Sequence, residues 1–444
     1  MPKKQNHKHI TSFQIIILGF LSIIILGSLL LMLPFATQDG KGAIFSDALF
    51  TSTSAVCVTG LVLHDTATYW SVFGQFVLLC LIQIGGMGIV TITISVAAVS
   101  GRKIGLMQRS TLQEAISAHH VGGIIRLTKF ILKISACIEF IGAALLIPFF
   151  CKDFGIAKGI WYSLFHSISA FCNAGFDLMG VKGQFSSLTS YSTQPFVNLT
   201  IIALILIGGI GFLTWEDVKN NKWNFRKYRM QSKVILTVTG VLIVFPALYF
   251  YFFELSNLPF NERIITAIFQ AVTPRTAGFN TVDLTAFSDT GLLLIIVLML
   301  IGGSPGSTAG GMKTTTIAVL LSSSFSVFRH KEHTQFFRRR ISDDVVRTAA
   351  TVLMMYIILF VSGGMIISSI EDVPILTALF ETSSAIGTVG LSVGITPQLS
   401  KISQMILIIL MFLGRVGGLT IIFAATARKQ STDPKFPQEK ITVG

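Results

Sequence analysis

Residues 50–61 read FTSTSAVCVTGL, and variants of this stretch occur three more times further along the chain. The other copies are FHSISAFCNAGF at Phe165 to Phe176, FQAVTPRTAGF at Phe269 to Phe279 and FETSSAIGTVGL at Phe380 to Leu391. Each copy ends in a glycine followed by Leu or Phe, and these glycines are Gly60, Gly175, Gly278 and Gly390. The third copy is one residue shorter than the others between its first Phe and its glycine.

A second signature follows each of these glycines. It reads IGGMG at Ile84 to Gly88, IGGIG at Ile207 to Gly211, IGGSPG at Ile301 to Gly306 and LGRVG at Leu413 to Gly417. Two ordered signatures that each occur four times indicate four copies of one structural unit. We predict repeat 1 at residues 1–100, repeat 2 at 101–219, repeat 3 at 220–330 and repeat 4, with a C-terminal tail, at 331–444.

The composition excludes a soluble enzyme. Only 12% of the 444 residues are charged, 52% are hydrophobic and the mean hydropathy is +0.72, whereas a soluble domain carries about 25% charged residues. About 20 apolar residues cross a bilayer, and each unit has two such runs. The first runs lie near 13–34, 127–150, 232–253 and 346–370, and the second near 71–98, 194–215, 290–327 and 403–427.

Between the two runs, each unit has an apolar piece that is too short to cross a bilayer. These pieces lie near 43–56, 159–171, 262–273 and 373–386. Backbone that leaves a helix at membrane depth is tolerated only where protein buries it or where it lines a wet cavity. Parallel repeats around an axis along the membrane normal bring four such segments together. We therefore predict an all-α polytopic membrane protein of four span, half-helix and span repeats, with pseudo-fourfold symmetry around one central pore.

The glycine-bearing segments are the candidate ion-binding site. Their residues are Val58, Thr59, Gly60, Asn173, Ala174, Gly175, Thr276, Ala277, Gly278, Thr388, Val389 and Gly390. None is charged, so coordination has to come from backbone carbonyls, with help from Thr and Asn oxygens. Rings of carbonyls replace the hydration shell of potassium, and half-helices that run towards the centre direct their negative dipole ends at a cation. Nearby acidic residues, Asp65, Asp177 and Asp283, would raise the local cation concentration.

Two features break the fourfold repetition, and both are candidate gate elements. Arg415 replaces the second glycine of the motif in repeat 4, midway along a predicted span, where a charge should face the protein interior or water. In repeat 3, GGSPGSTAGGMKTTT (302 to 316) cannot continue a helix. The candidate gate residues there are Gly302, Gly303, Ser304, Pro305, Gly306, Ser307, Thr308, Ala309, Gly310 and Gly311. The alternative is a rigid broken helix that only packs.

The net charge of +13 could suggest nucleic acid as a partner. The placement of the basic residues instead indicates the cytosolic side of a membrane. If the spans alternate from a cytosolic N-terminus, most Lys and Arg residues fall in the tails and intracellular loops, as the positive-inside rule requires. Both termini are then cytosolic. The histidines have no HExxH motif or paired acid, so we expect neither an enzyme nor a cofactor bound by this chain.

With these motifs, the sequence resembles the Trk/Ktr/HKT superfamily of potassium and sodium transporters, and specifically the bacterial Ktr membrane subunit. The resemblance rests on VTGL at Val58, NAGF at Asn173, TPRTAGFNTVD at Thr273, GTVGL at Gly387 and the loop of repeat 3 with Arg415. It implies a homodimer in the bacterial plasma membrane with one pore per subunit, docked on a cytosolic ring that binds ATP or ADP. It also implies that the loop of repeat 3 is the gate and that Arg415 contributes to the barrier.

The function we predict is potassium uptake through a carbonyl-lined filter, with the transported ion held only there. The alternative is a sodium-coupled or sodium-selective carrier that uses the same segments. A membrane receptor or scaffold without transport would explain the spans but not four matched glycine segments.

Overall fold

The structure is a computed structural model that describes residues 11–88, 91, 111–114, 124–222 and 224–417. Its helices, in chain order, are α1 (Ser12–Leu31), α2 (Phe45–Val56), α3 (Val72–Met87), α4 (Ile124–Phe154), α5 (Ile156–Phe171), α6 (Pro195–Gly209), α7 (Phe212–Asn221), α8 (Met230–Tyr249), α9 (Phe260–Val272), α10 (Asp289–Leu300), α11 (Thr314–Phe328), α12 (Asp343–Glu371), α13 (Ile375–Gly387) and α14 (Lys401–Val416). A four-residue helix, Thr66–Tyr69, lies between α2 and α3. The strands β1 (Gln335–Phe336) and β2 (Arg339–Arg340) form a small antiparallel hairpin.

The first run of each unit forms one long apolar helix, as predicted. These helices are α1, α4, α8 and α12, and α8 continues to Glu254 as a π-helical segment. All four are long and apolar enough to cross a membrane, yet only 28% to 33% of their most apolar windows is buried inside the protein. Their remaining apolar surface is therefore available to lipid, and the chain is a multi-pass membrane protein.

The short pieces form helices of 12 to 16 residues, namely α2, α5, α9 and α13, and the prediction of half-helices is confirmed. Each contains the phenylalanine that opens the repeated stretch: Phe50, Phe165, Phe269 and Phe380. All four rings are at most 1% exposed. Because a buried aromatic ring contributes a large apolar area, the same residue anchors the same helix in every unit.

The second runs are not the continuous helices that the hydropathy predicted. Gly88, Gly211 and Gly417, the last glycines of their motifs, have φ angles of +82°, +90° and +85°. A right-handed helix cannot pass through positive φ, so α3, α6 and α14 end just before these residues. In repeat 2 the chain continues as α7 after a bend of 97°. The predicted continuations to residues 98 and 427 lie largely outside the described residues.

In repeat 3, the second run is interrupted as predicted. Helix α10 ends at Leu300, α11 begins at Thr314, and the connection between them is irregular apart from a single bridge between Ile301 and Met312. We call residues 302–313 the inner loop.

Candidate functional site

The four glycine-bearing segments meet in one place. We call them together the central ring: Val58, Thr59, Gly60, Asn173, Ala174, Gly175, Thr276, Ala277, Gly278, Thr388, Val389 and Gly390. A Cβ atom placed on Gly60, Gly175, Gly278 and Gly390 would lie 2.4, 2.8, 2.2 and 2.2 Å from the carbonyl oxygens of Ala174, Ala277, Val389 and Thr59, respectively. The fourth segment returns to the first, so the ring is closed. No side chain fits at these glycines without a shift of the neighbouring segment.

The backbone of the central ring has the same conformation in all four units. The first residues, Val58, Asn173, Thr276 and Thr388, have φ angles of +58°, +58°, +68° and +53°, and the four glycines have φ angles of +69° to +93°. The residue between them is never at positive φ. The same alternation of positive and negative φ therefore occurs in all four segments. A left-handed non-glycine residue costs about 1–3 kcal/mol and persists only where its surroundings impose it.

A hydroxyl residue behind each segment helps to impose this conformation. The residues are Ser54, Ser169, Thr273 and Ser384, and their backbone carbonyls accept hydrogen bonds from the N–H groups of Thr59, Ala174, Ala277 and Val389 at 2.8 to 3.0 Å. The Oγ atoms of Ser54 and Ser384 also accept from the N–H groups of Gly60 and Gly390, both at 3.0 Å. In the other two units the hydroxyl donates instead, to the carbonyls of Phe176 and Phe279.

The sequence motifs alone do not identify these hydroxyl residues as partners of the ring. The available signal was a Ser or Thr at the same place in each repeated stretch, six residues before the glycine and five residues before it in repeat 3. The residue that repeat 3 lacks therefore falls between Thr273 and the ring. Gly278 still contacts both neighbouring segments, so the register of the third segment matches the others.

An outer cavity of about 300 Å³ opens on one side of the ring, and all four ring glycines line it. Two of the three predicted acidic residues, Asp65 and Asp177, also line it, whereas Asp283 does not. The Asp65 carboxylate is occupied by backbone groups, since it accepts from the N–H groups of Ala67 and Phe185 at 3.1 and 3.0 Å. Burial, followed by the nearby charge of Asp65, raises the pKa of Asp177 to about 7.

Glycines of the second signature hold the second spans against the ends of the short helices. A Cβ on Gly85, Gly208 or Gly414 would lie 2.1, 2.0 or 2.1 Å from the carbonyl oxygens of Val56, Phe171 and Ile386. Small residues let membrane helices approach this closely. The motif thus serves two purposes, because its first glycine permits the contact and its last glycine ends the helix.

The inner loop contacts residues that come just before the ring glycines, and none of its residues lines the outer cavity; we call this side of the ring its inner side. The Thr308 hydroxyl donates to the carbonyl of Phe171, the last residue of α5, at 3.0 Å. A Cβ on Gly310 would lie 2.1 Å from the Thr388 hydroxyl. The loop is also joined to repeat 4, because the Gly311 N–H donates to the carbonyl of Gly414 at 3.2 Å. The inner loop is therefore fastened to segments from repeats 2 and 4.

Arg415 links this loop to repeat 1. Its guanidinium donates to the carbonyl of Thr308 in the loop and to the carbonyls of Gly85 and Gly86 at the end of α3. The sequence predicted that Arg415 lies midway along a span, and this prediction is wrong. Helix α14 ends at Val416, so Arg415 lies in its last turn. Its three acceptors are all backbone carbonyls, so no carboxylate among the described residues neutralises it.

The fold and the site define a class of protein: a membrane protein with four repeated units around one ring. A family model described as TrkH, cation transport protein, matches residues 2–433. The chain is 40% identical to the potassium/sodium uptake protein NtpJ of Enterococcus hirae over 100% of this chain and 99% of that protein. It is 39% identical to the Ktr system potassium uptake protein B of Bacillus subtilis over 97% and 96% of the two chains.

The fold also matches a solved structure. The crystal structure of the potassium transporter TrkH from Vibrio parahaemolyticus superposes with a TM-score of 0.75 over 96% of this chain and 87% of that chain, at 20% identity. The protein belongs to the Trk/Ktr family of potassium and other cation transport proteins, and the resemblance read from the sequence is confirmed.

Proposed function

We propose that this protein takes up potassium through the central ring. The closure of the ring carries this proposal, because four uncharged backbone segments meet in cyclic order and present carbonyls rather than charged side chains. Carbonyl oxygens can replace the hydration shell of potassium. The short helices end at the ring, and the negative ends of their dipoles favour a cation there and disfavour an anion.

The outer cavity would be the entrance for the ion. It touches all four ring glycines and carries the carboxyl groups of Asp65 and Asp177. Negative charge in a narrow cleft raises the local concentration of cations. Burial raises the pKa of Asp177 to about 7, so the charge of its carboxyl group would change near neutral pH.

The inner loop and Arg415 would form the gate. Two observations support this proposal: Gly310 of the loop lies against the Thr388 side chain of the ring, and the charged guanidinium of Arg415 holds the loop at Thr308. A cation that leaves the ring would meet both, so conduction would require the loop to move and the bonds of Arg415 to break. Allosteric control of such a segment needs a second state that a partner stabilises.

We also propose the assembly and location that the resemblance implies. The protein would form a homodimer in the bacterial plasma membrane with both termini cytosolic. A cytosolic regulatory ring that binds ATP or ADP would dock on the basic intracellular loops. The name of the Bacillus subtilis relative, a Ktr system protein B, fits a system of more than one subunit.

Sodium transport is the second candidate, because the Enterococcus hirae relative is named a potassium/sodium uptake protein. Purified protein in liposomes separates the two candidates when flux is measured under matched potassium and sodium gradients. We expect potassium to move faster by at least about tenfold, which corresponds to about 1.4 kcal/mol. Sodium flux equal to or above potassium flux would replace the first candidate with the second, and no flux of either ion with or without a regulatory partner would contradict both.

A further inference from the structure

A second cavity, of about 570 Å³, lies beside the inner loop and away from the central ring. We call it the side pocket. The first turns of α8 and α12, the helix α11 and the β1–β2 hairpin enclose it, and Pro305 of the inner loop forms part of its wall. The central ring and the outer cavity share no residue with it.

The interior of the side pocket is mostly apolar. Val234, Val345 and Val352 line it, together with Val319, Ile341 and Ala349, which form a small buried cluster in its wall. The lining of α12 extends from Ser342 to Val352, which is roughly 15 Å along a helix that rises 1.5 Å per residue. The pocket is therefore an elongated apolar slot that suits a hydrocarbon chain better than a compact polar solute.

One end of the slot carries positive charge. Arg340 in β2 lines it, and it pairs with no carboxylate among the residues that the structure describes. Six Lys or Arg residues and three acidic residues lie between Arg329 and Arg347. Of these nine charged residues, Arg340 alone lines the pocket. The unpaired positive charge of Arg340 at this end of the slot therefore favours binding of an anion.

The slot lies where two membrane helices begin. Helices α8 and α12 are among the four that are long and apolar enough to cross a bilayer, and each follows a basic stretch of sequence. At such a place the headgroup region meets the hydrocarbon region, and basic pockets between membrane helices on the cytosolic side bind anionic headgroups. Charge at the entrance and an apolar interior are the two parts that an anionic phospholipid requires.

We propose that the side pocket binds an anionic phospholipid. Its phosphate would contact Arg340, and an acyl chain would lie along Val319 and Val352 until it reaches Pro305. The neighbouring inner-loop residues are fixed to repeat 2, since the Ser304 N–H donates to the Gly209 carbonyl at 3.1 Å and the Phe212 N–H donates to the Gly306 carbonyl at 2.7 Å. If the inner loop is the gate, as proposed above, occupancy of the pocket would change gating, whereas binding itself does not depend on that function.

The binding test uses the full-length protein in detergent and native mass spectrometry with phosphatidylglycerol or phosphatidylcholine. We expect phosphatidylglycerol to bind at least fivefold more tightly, and we expect R340Q to remove most of this preference. The matched control is R339Q, which makes the same charge change in the same strand outside the pocket lining. Equal losses in R339Q and R340Q would indicate general surface attraction and would overturn the proposal.

A second pair of variants tests the apolar slot. Thr348→Trp should fill it and reduce binding of phosphatidylglycerol at least fivefold, whereas Val361→Trp, on an exposed part of the same helix, should have no effect. Equal binding in both variants, or full competition by glycerol phosphate without acyl chains, would show that no lipid occupies the slot. A liposome flux assay with increasing phosphatidylglycerol then tests the link to gating: a loss of lipid response in R340Q supports it. If R340Q loses lipid binding while its flux response stays normal, the lipid site stands and its coupling to the inner loop is contradicted.

Discussion

The outer and inner sides of the central ring differ in how closely the four units agree. On the outer side and in the ring itself, each unit supplies a corresponding short helix, a Ser or Thr whose carbonyl accepts from the ring, the same alternation of φ and the same glycine. On the inner side, repeat 3 supplies an irregular loop and repeat 4 supplies Arg415. A ring that surrounds an ion needs equivalent segments, whereas a barrier that closes one path needs only one or two elements. We therefore assign the proposed ion selectivity to the symmetric ring and the proposed gating to the asymmetric inner side.

The largest expected effect comes from a side chain placed in the symmetric ring. Gly60→Ser puts a Cβ atom 2.4 Å from the Ala174 carbonyl oxygen at a positive φ angle, so the carbonyls of two segments must shift. We expect potassium over sodium selectivity to fall at least about tenfold, or about 1.4 kcal/mol, in liposome flux. The control is Gly240→Ser, since Gly240 has open space around it. Unchanged selectivity in G60S would contradict the assignment of the ring as the filter.

The next effect concerns the asymmetric side. Arg415→Gln removes the charge and weakens the bonds to Thr308 and Gly85, so basal potassium flux without a regulatory partner should rise about fivefold, equivalent to about 1 kcal/mol. Arg415→Lys keeps the charge, but an ammonium cannot bond to both carbonyls as a guanidinium does. Basal potassium flux should therefore rise less in this variant than in R415Q. A flux in R415Q at or below that of the wild type would contradict a barrier role, whereas selectivity should remain normal in both variants.

A smaller effect should follow from the pH outside the membrane. Because burial raises the pKa of Asp177 to about 7, its carboxyl group is neutral below that pH and charged above it. We expect uptake to fall about twofold as the external pH decreases from 8 to 6, since the entrance then attracts cations less. Asp177→Asn should remove this dependence and Asp283→Asn, outside the outer cavity, should retain it. The same pH response in D177N and the wild type would exclude Asp177 as its source.

The same pKa gives a stability prediction with a definite sign. Between pH 3.8 and about 7 the native carboxyl of Asp177 binds a proton that the unfolded chain does not, so this group makes the free energy of unfolding decrease as pH rises. Denaturation of D177N should show a weaker decrease through this window than the wild type.

The smallest effect should come from the hydroxyl groups behind the ring. Ser384→Ala removes the partner of the Gly390 N–H at 3.0 Å, and a hydrogen bond of this kind contributes about 0.5–1.5 kcal/mol. We expect a lower melting temperature and about a twofold loss of selectivity. Ser383→Ala, whose hydroxyl donates to Phe380 within its own helix at 2.8 Å, is the control and should keep wild-type selectivity. Identical selectivity in the two variants would leave Ser384 with a purely structural role.

The sequence predicted much of this architecture. The features that it did not predict depend on backbone angles or on contacts that a local pattern does not reveal. The short helices matched their predicted ranges because an apolar run too short for a bilayer is a local property. The second runs did not, since hydropathy counts Gly88 and Gly211 as acceptable span residues and does not register their positive φ. Ser54 and Ser384 were overlooked because a Ser in a helix has many uses, and only the fold shows which N–H it reaches.

By itself the sequence determined the membrane class, the four units and the twelve residues of the candidate site, because composition, apolar length and repetition are carried along the chain. Only the tertiary structure decided that the fourth segment closes on the first, that Arg415 reaches Thr308 and Gly85, and that a slot lies beside Pro305. The first two facts depend on contacts between residues that are more than a hundred positions apart, and the slot depends on residues spread from Met230 to Val352. Such contacts are fixed by how apolar helix faces pack together, and no local pattern encodes them.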